Sequence, residues 1–334
     1  MGIKILHTAD WHLGKCLWGY DKLQDDVTDG AWSVIGHAVR RDVDALIITG
    51  DLFERYNPSS EIRDSAIEMI SHVLNDDVDI PVYLVHGDHD HEGVNGSATP
   101  GIDSVCARTH AERLGRTPIL LDDIAVYGLH NEELRTFGKD VARQLIMPPE
   151  EALSAVLCLH EMHPRWNYVG KPDIGMRKIL RQVPFTVDMV ACGDVHRKKR
   201  WRPLPSCLGR YAGSPSRAVR SNLLGDYEPS AFLYEFSDDG VTTEELLITG
   251  HSKRHRVNIA PADANDVDDV IKRVASTVEP PWIDDLFEIR FLGTPDDAIL
   301  DGVIDRLDEH GALRVRVWDN PENVWEQRQR SNLS

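Results

Sequence analysis

The 334-residue chain is predicted to be an α/β protein organised around a parallel sheet. Three observations predict it. Short apolar runs rich in branched residues recur along the chain, which is how strands buried on both faces read. The first two are separated by a helix-length amphipathic segment, giving a right-handed βαβ unit. Each run then ends in Gly, Asp or His, at the carboxyl edge where open α/β sheets place their ligands.

Gly2-Ile-Lys-Ile-Leu6 is the first strand, and it runs into His7-Thr-Ala-Asp10-Trp-His12-Leu-Gly14. Asp10 and His12 are two apart, so in extended chain they point the same way and can reach one cation. A helix is predicted from Leu23 to Arg41, with Val27, Ala31, Val34, Ile35 and Ala38 on one face. The strand Asp44–Thr49 ends in Gly50-Asp51-Leu-Phe-Glu54. A second helix, Ser60 to Leu74, leads to Pro81-Val-Tyr-Leu-Val85 and then to His86-Gly87-Asp88-His89-Asp90. Residues 91 to 116 carry no clear period and suit a loop with a short helix. Pro118–Leu121 and Ile124–Leu129 read as a hairpin turning at Asp122-Asp123. A helix is predicted from Leu134 to Ile146, closed by Pro148-Pro149. The strand Ala155–Leu159 ends at His160, with His163 three residues on. Val187–Cys192 ends in Gly193-Asp194-Val-His196, which repeats the Asp-x-His spacing of residues 10 to 12.

Strand ends thus deliver Asp10, His12, Asp51, Asp88, His89, His160, Asp194 and His196. Mixed carboxylates and imidazoles suit manganese, iron or zinc better than calcium. So many groups suit two ions about 3.5–4 Å apart, bridged by a carboxylate such as Asp51.

Asp10-Trp-His12, Gly50-Asp51, Gly87-Asp88-His89-Asp90, His160 and Gly193-Asp194-Val-His196 resemble the motif series of calcineurin-like metallophosphoesterases. His7-Thr-Ala-Asp-Trp-His-Leu-Gly14 and Tyr211-Ala-Gly-Ser214-Pro215 narrow this to the SbcD and meiotic recombination eleven nucleases. The resemblance covers roughly residues 1 to 236. It implies two packed mixed sheets flanked by helices, and 3′-to-5′ exonuclease plus endonuclease activity on DNA ends with two divalent ions, Mn²⁺ or Mg²⁺. Carried over, Asp10, His12, Asp51 and His196 hold one ion, while Asp51, Asp88, His160 and Asp194 hold the other. His89 is left as general acid or electrostatic stabiliser at the leaving oxygen. Asp88 and Asp194 stand where the family has Asn and His, which adds negative charge around the second ion. The family further implies a homodimer and an SbcC-type coiled-coil ATPase partner. A small-nucleotide phosphodiesterase and a non-catalytic DNA-end scaffold remain as alternative readings.

The net charge is −18, from 55 acidic against 37 basic side chains, with Arg commoner than Lys. That balance is unexpected for a DNA-binding protein, whose affinity rests on basic surface. It resembles the acid-rich surfaces of proteins from salt-loving organisms. Arg197-Lys198-Lys199-Arg200-Trp201-Arg202, directly after His196, is the exception and reads as a phosphate grip with a stacking ring. Arg210, Tyr211, Ser214, Arg217 and Arg220 could extend it.

Five cysteines without a CxxC pair predict a reducing, cytoplasmic setting, and no run suits a membrane span or signal peptide. The nuclease domain is expected over residues 1–250 and a small α/β DNA-capping domain over 251–334. In the latter, strands near 253–259, 286–292 and 313–318 alternate with helices near 265–278 and 297–308.

Overall fold

The computed structural model describes residues 2–16, 21–75, 77–91, 101–161, 175–217, 228–248, 254–260, 263, 265–280, 286–292, 295–310, 312 and 314–318. These fall into two compact units, one ending at Ile248 and the other beginning at Arg254.

The first unit holds two six-stranded sheets. One contains β1 (Ile3–Thr8), β2 (Ala45–Thr49), β3 (Val82–Val85), β4 (Glu112–Arg113), β11 (Ser230–Ser237) and β12 (Gly240–Leu247), in the order β12-β11-β1-β2-β3-β4. The other contains β5 (Ile119–Leu121), β6 (Ile124–Leu129), β7 (Ser154–His160), β8 (Met189–Gly193), β9 (Lys199–Leu204) and β10 (Cys207–Tyr211), in the order β5-β6-β7-β8-β10-β9. β1 to β4 are mutually parallel, as are β6, β7, β8 and β10. The outer pairings β1–β11, β11–β12, β5–β6 and β9–β10 are antiparallel. The sheets are therefore mixed. Residue pattern alone indicates one parallel sheet, because antiparallel edge strands look alike in sequence.

Alternation along the strands builds the layers. Ile5, Ala45, Ile47, Val85, Val126, Val156, Cys158 and Met189 meet in one apolar cluster between the sheets. Leu6, Leu46, Ile48 and Leu84 face the opposite way. They pack under α1 (Asp21–Arg41), α2 (Ser60–Val73) and α3 (Gly101–Thr109). Tyr127, Leu157, Leu159 and Val190 likewise pack under α4 (Asn131–Phe137), a 3₁₀ helix (Gly138–Gln144) and α5 (Met176–Leu180). Both faces of β2 and β3 are thus covered, which is why these strands are buried at every position and, up to Thr49 at the end of β2, built from apolar or aromatic residues. Truncating Leu46 or Ile48 to Ala would cost about 2–5 kcal/mol.

One long helix from Leu134 to Ile146 does not form. α4 ends where Gly138 adopts φ 60°, and the chain continues as the 3₁₀ helix. His163 and Arg220 lie outside the described residues.

The second unit is a parallel three-stranded sheet of β13 (Arg254–Ile259), β14 (Leu286–Phe291) and β15 (Arg314–Trp318), with α6 (Val267–Thr277) and α7 (Asp297–Glu309). Val257, Ile259, Val270, Val274, Ile289, Val303 and Leu307 form its core. No helix among the described residues is long and apolar enough to cross a membrane. All five cysteines are free, and Cys158, Cys192 and Cys207 are buried.

Candidate metal centre

The carboxyl ends of β1, β2 and β3 in one sheet meet those of β7 and β8 in the other. The glycines there permit a close approach. A Cβ on Gly193 would lie 2.0 Å from the Thr49 carbonyl, and one on Gly50 would lie 2.2 Å from Nδ1 of His160. Gly50 also has φ 85°, in the left-handed region.

Beyond the strands, the segments after β1 and β2 run side by side. Asp10 N–H donates to the Gly50 carbonyl (3.0 Å), His12 N–H to that of Asp51 (2.9 Å) and Leu13 N–H to that of Leu52 (2.9 Å). Asp10, His12 and Asp51 adopt φ 55°, 51° and 52°. Asp10 and His12 therefore reach one place through left-handed backbone, not through the strand alternation expected of them. Three such residues together mark a site where the surroundings hold strained backbone. Asp90 is buried and knits the third segment in, accepting from Gly87 (3.0 Å), Leu52 (3.3 Å) and Phe53 (3.3 Å) N–H groups.

Three groups of ligand atoms result among the described residues. Asp10, His12, Asp51 and His196 place one atom each within 4.8 Å of one another, as do Asp51, Asp88 and His160, and beside them His12, Glu54 and His89. Nε2 of His12 lies 3.3 Å from Nε2 of His196 and 3.5 Å from Oδ2 of Asp51. Nε2 of His160 lies 3.4 Å from that same oxygen and 3.5 Å from Oδ1 of Asp88. Donors sharing an ion about 2.1 Å away sit roughly 3.0–3.5 Å apart, so the spacing fits. Asp51 Oδ2 belongs to the first two groups.

The tautomer of His160 is fixed to suit. Its Nδ1 donates to the Thr49 carbonyl (2.9 Å), which leaves Nε2 as the lone-pair atom aimed at the carboxylates. That Nε2 and Oδ2 of Asp10 are buried without hydrogen-bond partners, as cation ligands would be.

Charge and burial compete here. Burial pushes Asp10 well above the usual carboxylate range. Burial opposes ionisation of Asp51 too, but neighbouring His160 and His12 hold its carboxyl well below that range. Burial disfavours a charge on His160, yet Asp51 and Asp88 outweigh it and raise its pKa well above the ordinary value. His196 is pushed well below, by burial and then by the nearby His12.

Asp194 is buried beside this site but is in none of these groups. The chain turns there with φ 80°, and its backbone N–H donates to Oδ1 of Asp10 (2.9 Å). The expectation of Asp194 as a ligand of the second ion gains no support from these groups. His89 is about a third exposed; its N–H donates to Oδ1 of Asp51 (2.9 Å) and its Nδ1 to the Glu54 carbonyl (2.8 Å). Burial works against a charged His89, but Asp51 and the Glu54 contact raise its pKa above the ordinary value.

Glu54 is the residue that sequence reasoning missed. Its Oε2 lies 2.9 Å from Nδ1 of His12, and Lys15 Nζ donates to Oε1 and Oε2 at 2.8 and 2.9 Å. Its position three residues after Asp51 was visible, but nothing in the sequence brings it to His12.

The latter part of the basic run is the edge strand β9. Lys198 pairs with Glu228 and Glu245, and Arg200 with Glu245. Trp201 stacks on Tyr211 with centroids 4.7 Å apart, and packs against the core under α5. Tyr211 is fully buried and its hydroxyl donates to the Glu161 carbonyl (2.8 Å). Ser214 is buried as well and accepts from Ser216 N–H (3.2 Å). Tyr211 and Ser214 are therefore engaged inside the protein, and the half-buried ring of Trp201 is stacked on Tyr211. Arg197 and Arg202 are exposed.

A model of the calcineurin-like phosphoesterase family matches residues 3–198, more than half of the chain. The chain belongs to that family. Among its relatives, the DNA double-strand break repair protein Mre11 of Methanosarcina acetivorans is 28% identical over 250 residues, covering 74% of this chain and 39% of that protein. The Mre11 protein of Halobacterium salinarum is 26% identical over 325 residues, covering 96% of this chain and 78% of that protein. A component of the SbcCD nuclease of Bacillus subtilis is 35% identical over 100 residues, 29% of this chain and 25% of that protein. The chain thus spans about two fifths of the Methanosarcina relative.

Proposed function

We propose that this phosphoesterase is a two-metal DNA nuclease that trims double-strand ends during repair or recombination. One observation carries the reading: Oδ2 of Asp51 lies 3.5 Å from His12 Nε2 and 3.4 Å from His160 Nε2, between two donor sets. Asp10, His12, Asp51 and His196 hold one divalent ion, and Asp51, Asp88 and His160 the other. Mn²⁺ suits this mixture of imidazole and carboxylate, with Mg²⁺ the alternative. When bound, such a pair supplies the nucleophile and stabilises charge developing on the phosphoryl oxygens.

The chain's own groups do the rest. His89, held through Nδ1 by the Glu54 carbonyl, gives a proton from Nε2 to the leaving oxygen. Glu54 fixes the ring of His12, and Thr49 that of His160. The second unit serves as a cap for duplex DNA, and the activity is 3′-to-5′ exonucleolytic with endonuclease cuts near ends. The names of the Mre11 and SbcCD relatives support DNA as substrate, and the latter supports a multi-protein assembly, for which an SbcC-type coiled-coil ATPase is the proposed partner.

The test is Mn²⁺-dependent digestion of end-labelled duplex DNA by the wild type beside His89→Ala. Digestion by the wild type alone supports the reading. Hydrolysis of small nucleotide diesters with no attack on DNA would replace it with a phosphodiesterase.

A further inference from the structure

α5 is unlike the rest of this acidic surface. Met176, Ile179 and Leu180 are buried in the core beneath it, and Arg177, Lys178 and Arg181 are exposed. The exposed positions of α5 and of Arg181, which caps it, are therefore all cationic. Among the described residues, none of these three side chains forms an ion pair.

The surroundings extend that charge. Residues 175 to 204 carry eight basic side chains against two acidic ones, Asp188 and Asp194, in a chain where acids outnumber bases 55 to 37. Both acids are committed elsewhere. The Asp188 carboxylate accepts the Ala155 N–H (2.9 Å), and Asp194 is buried beside Asp10. Arg177 Nε donates to the Pro203 carbonyl (3.1 Å), which joins α5 to the end of β9 beside exposed Arg202. On the other side, Arg143 Nε donates to the Gln182 side chain, adjacent to Arg181, but Arg143 also lies 3.5 Å from Asp140 and is not counted with the free cations. Lys198 and Arg200 are excluded, since acidic partners already neutralise them.

β9 begins three residues after His196 and runs from the metal centre toward the far end of α5's sheet. Its six residues span about 20 Å at roughly 3.3 Å each. At about 3.4 Å per base pair, that is the length of about six base pairs. A charged edge strand by itself is explained by protection against edge pairing. The matched cations on a neighbouring helix, which has no edge to protect, are not.

We propose that the outer face of α5, Arg177, Lys178 and Arg181, with Arg202 at the end of β9, binds the phosphate backbone of duplex DNA about six base pairs from the cleaved bond. The assignment rests on the nuclease reading. The cations contribute point charges to phosphates, so the contact is sequence-independent.

The test compares wild type with Arg177→Gln/Lys178→Gln/Arg181→Gln, and with Arg177→Lys/Arg181→Lys, which keeps the charge. Affinity for a labelled duplex is measured by anisotropy from low to moderate salt, after thermal unfolding shows that both variants fold. The Gln variant should bind at least about tenfold more weakly near physiological salt. Its slope of log affinity against log salt should be shallower by about two to three, one counterion being released per lost phosphate contact. The Lys variant should match the wild type. A Gln variant with unchanged affinity and slope overturns the α5 assignment alone, and would point to a different acidic partner for this face. A wild type that does not bind DNA overturns both the assignment and the nuclease reading.

Discussion

The Glu54 carboxylate lies 2.9 Å from Nδ1 of His12, on the far side of the ring from the Nε2 that faces Asp51. The charge attracts a proton to Nδ1 and so favours Nε2 as the ligand atom, although the approach is not aligned as a hydrogen bond. Lys15 anchors the carboxylate, and the charge of its neighbours outweighs burial to bring Glu54 down to about 2. Glu54→Ala is expected to weaken Mn²⁺ binding by about 10–100-fold, while Glu54→Gln, which can still accept through its amide oxygen, loses less. Calorimetric titration with Mn²⁺ checks this; equal affinities for all three proteins would make Glu54 a surface partner of Lys15 only.

His89→Ala should keep both ions yet lose about 10²- to 10⁴-fold in cleavage rate, the contribution of a positioned proton donor. Metal counting alongside the rate separates the roles. Loss of an ion in this variant would make His89 a ligand.

How far the sequence was legible follows from which interactions are local. Doubly covered strands such as β2 are apolar almost throughout, so their ends, and Asp51 and Asp88 with them, could be located directly. The Asp-x-His repeat at residues 10–12 and 194–196 was readable as spacing, but the two copies behave differently. Asp10 enters a ligand cluster, whereas Asp194 offers its N–H to Asp10. Both residues have a positive φ, 55° at Asp10 and 80° at Asp194, so what separates them is where each turn sits against its neighbours, which residue type alone does not encode. Glu54 and Asp90 were hidden because their partners, His12 and the Leu52–Phe53 backbone, are brought up only when neighbouring segments align. Trp201 was misread because β9's alternation turns it onto Tyr211.

Acid should destabilise the fold through two buried imidazoles outside the ligand clusters. Burial pushes both His7 and His130 from 6.5 down to about 3. The unfolded chain takes up these protons near 6.5 and the folded one refuses them until about 3. Their contribution is thus complete above pH 6.5 and is lost as pH falls toward 3, at about 1.4 kcal/mol per unit for each group. Urea unfolding in a chelator, from pH 7 to pH 4, should show this decline, with a shallower slope in His130→Gln. Flat stability across that range would contradict it.

With a net charge of −18, self-repulsion opposes compaction in dilute buffer. At about 1 M salt the Debye length is roughly 3 Å, so distant carboxylates no longer interact. The unfolding temperature should rise from low to molar KCl. An unchanged temperature would mean that the acidity is not a salt adaptation.

The bridging position of Asp51 is the centre of this account, and metal counting in Asp51→Ala tests it most directly. Titrated with Mn²⁺, the wild type should bind two ions per chain, and the variant, still folded by its unfolding temperature, should bind neither tightly. One ion retained at wild-type affinity, with DNA cleavage preserved, would show that Asp51 is not the bridge between two metal sites.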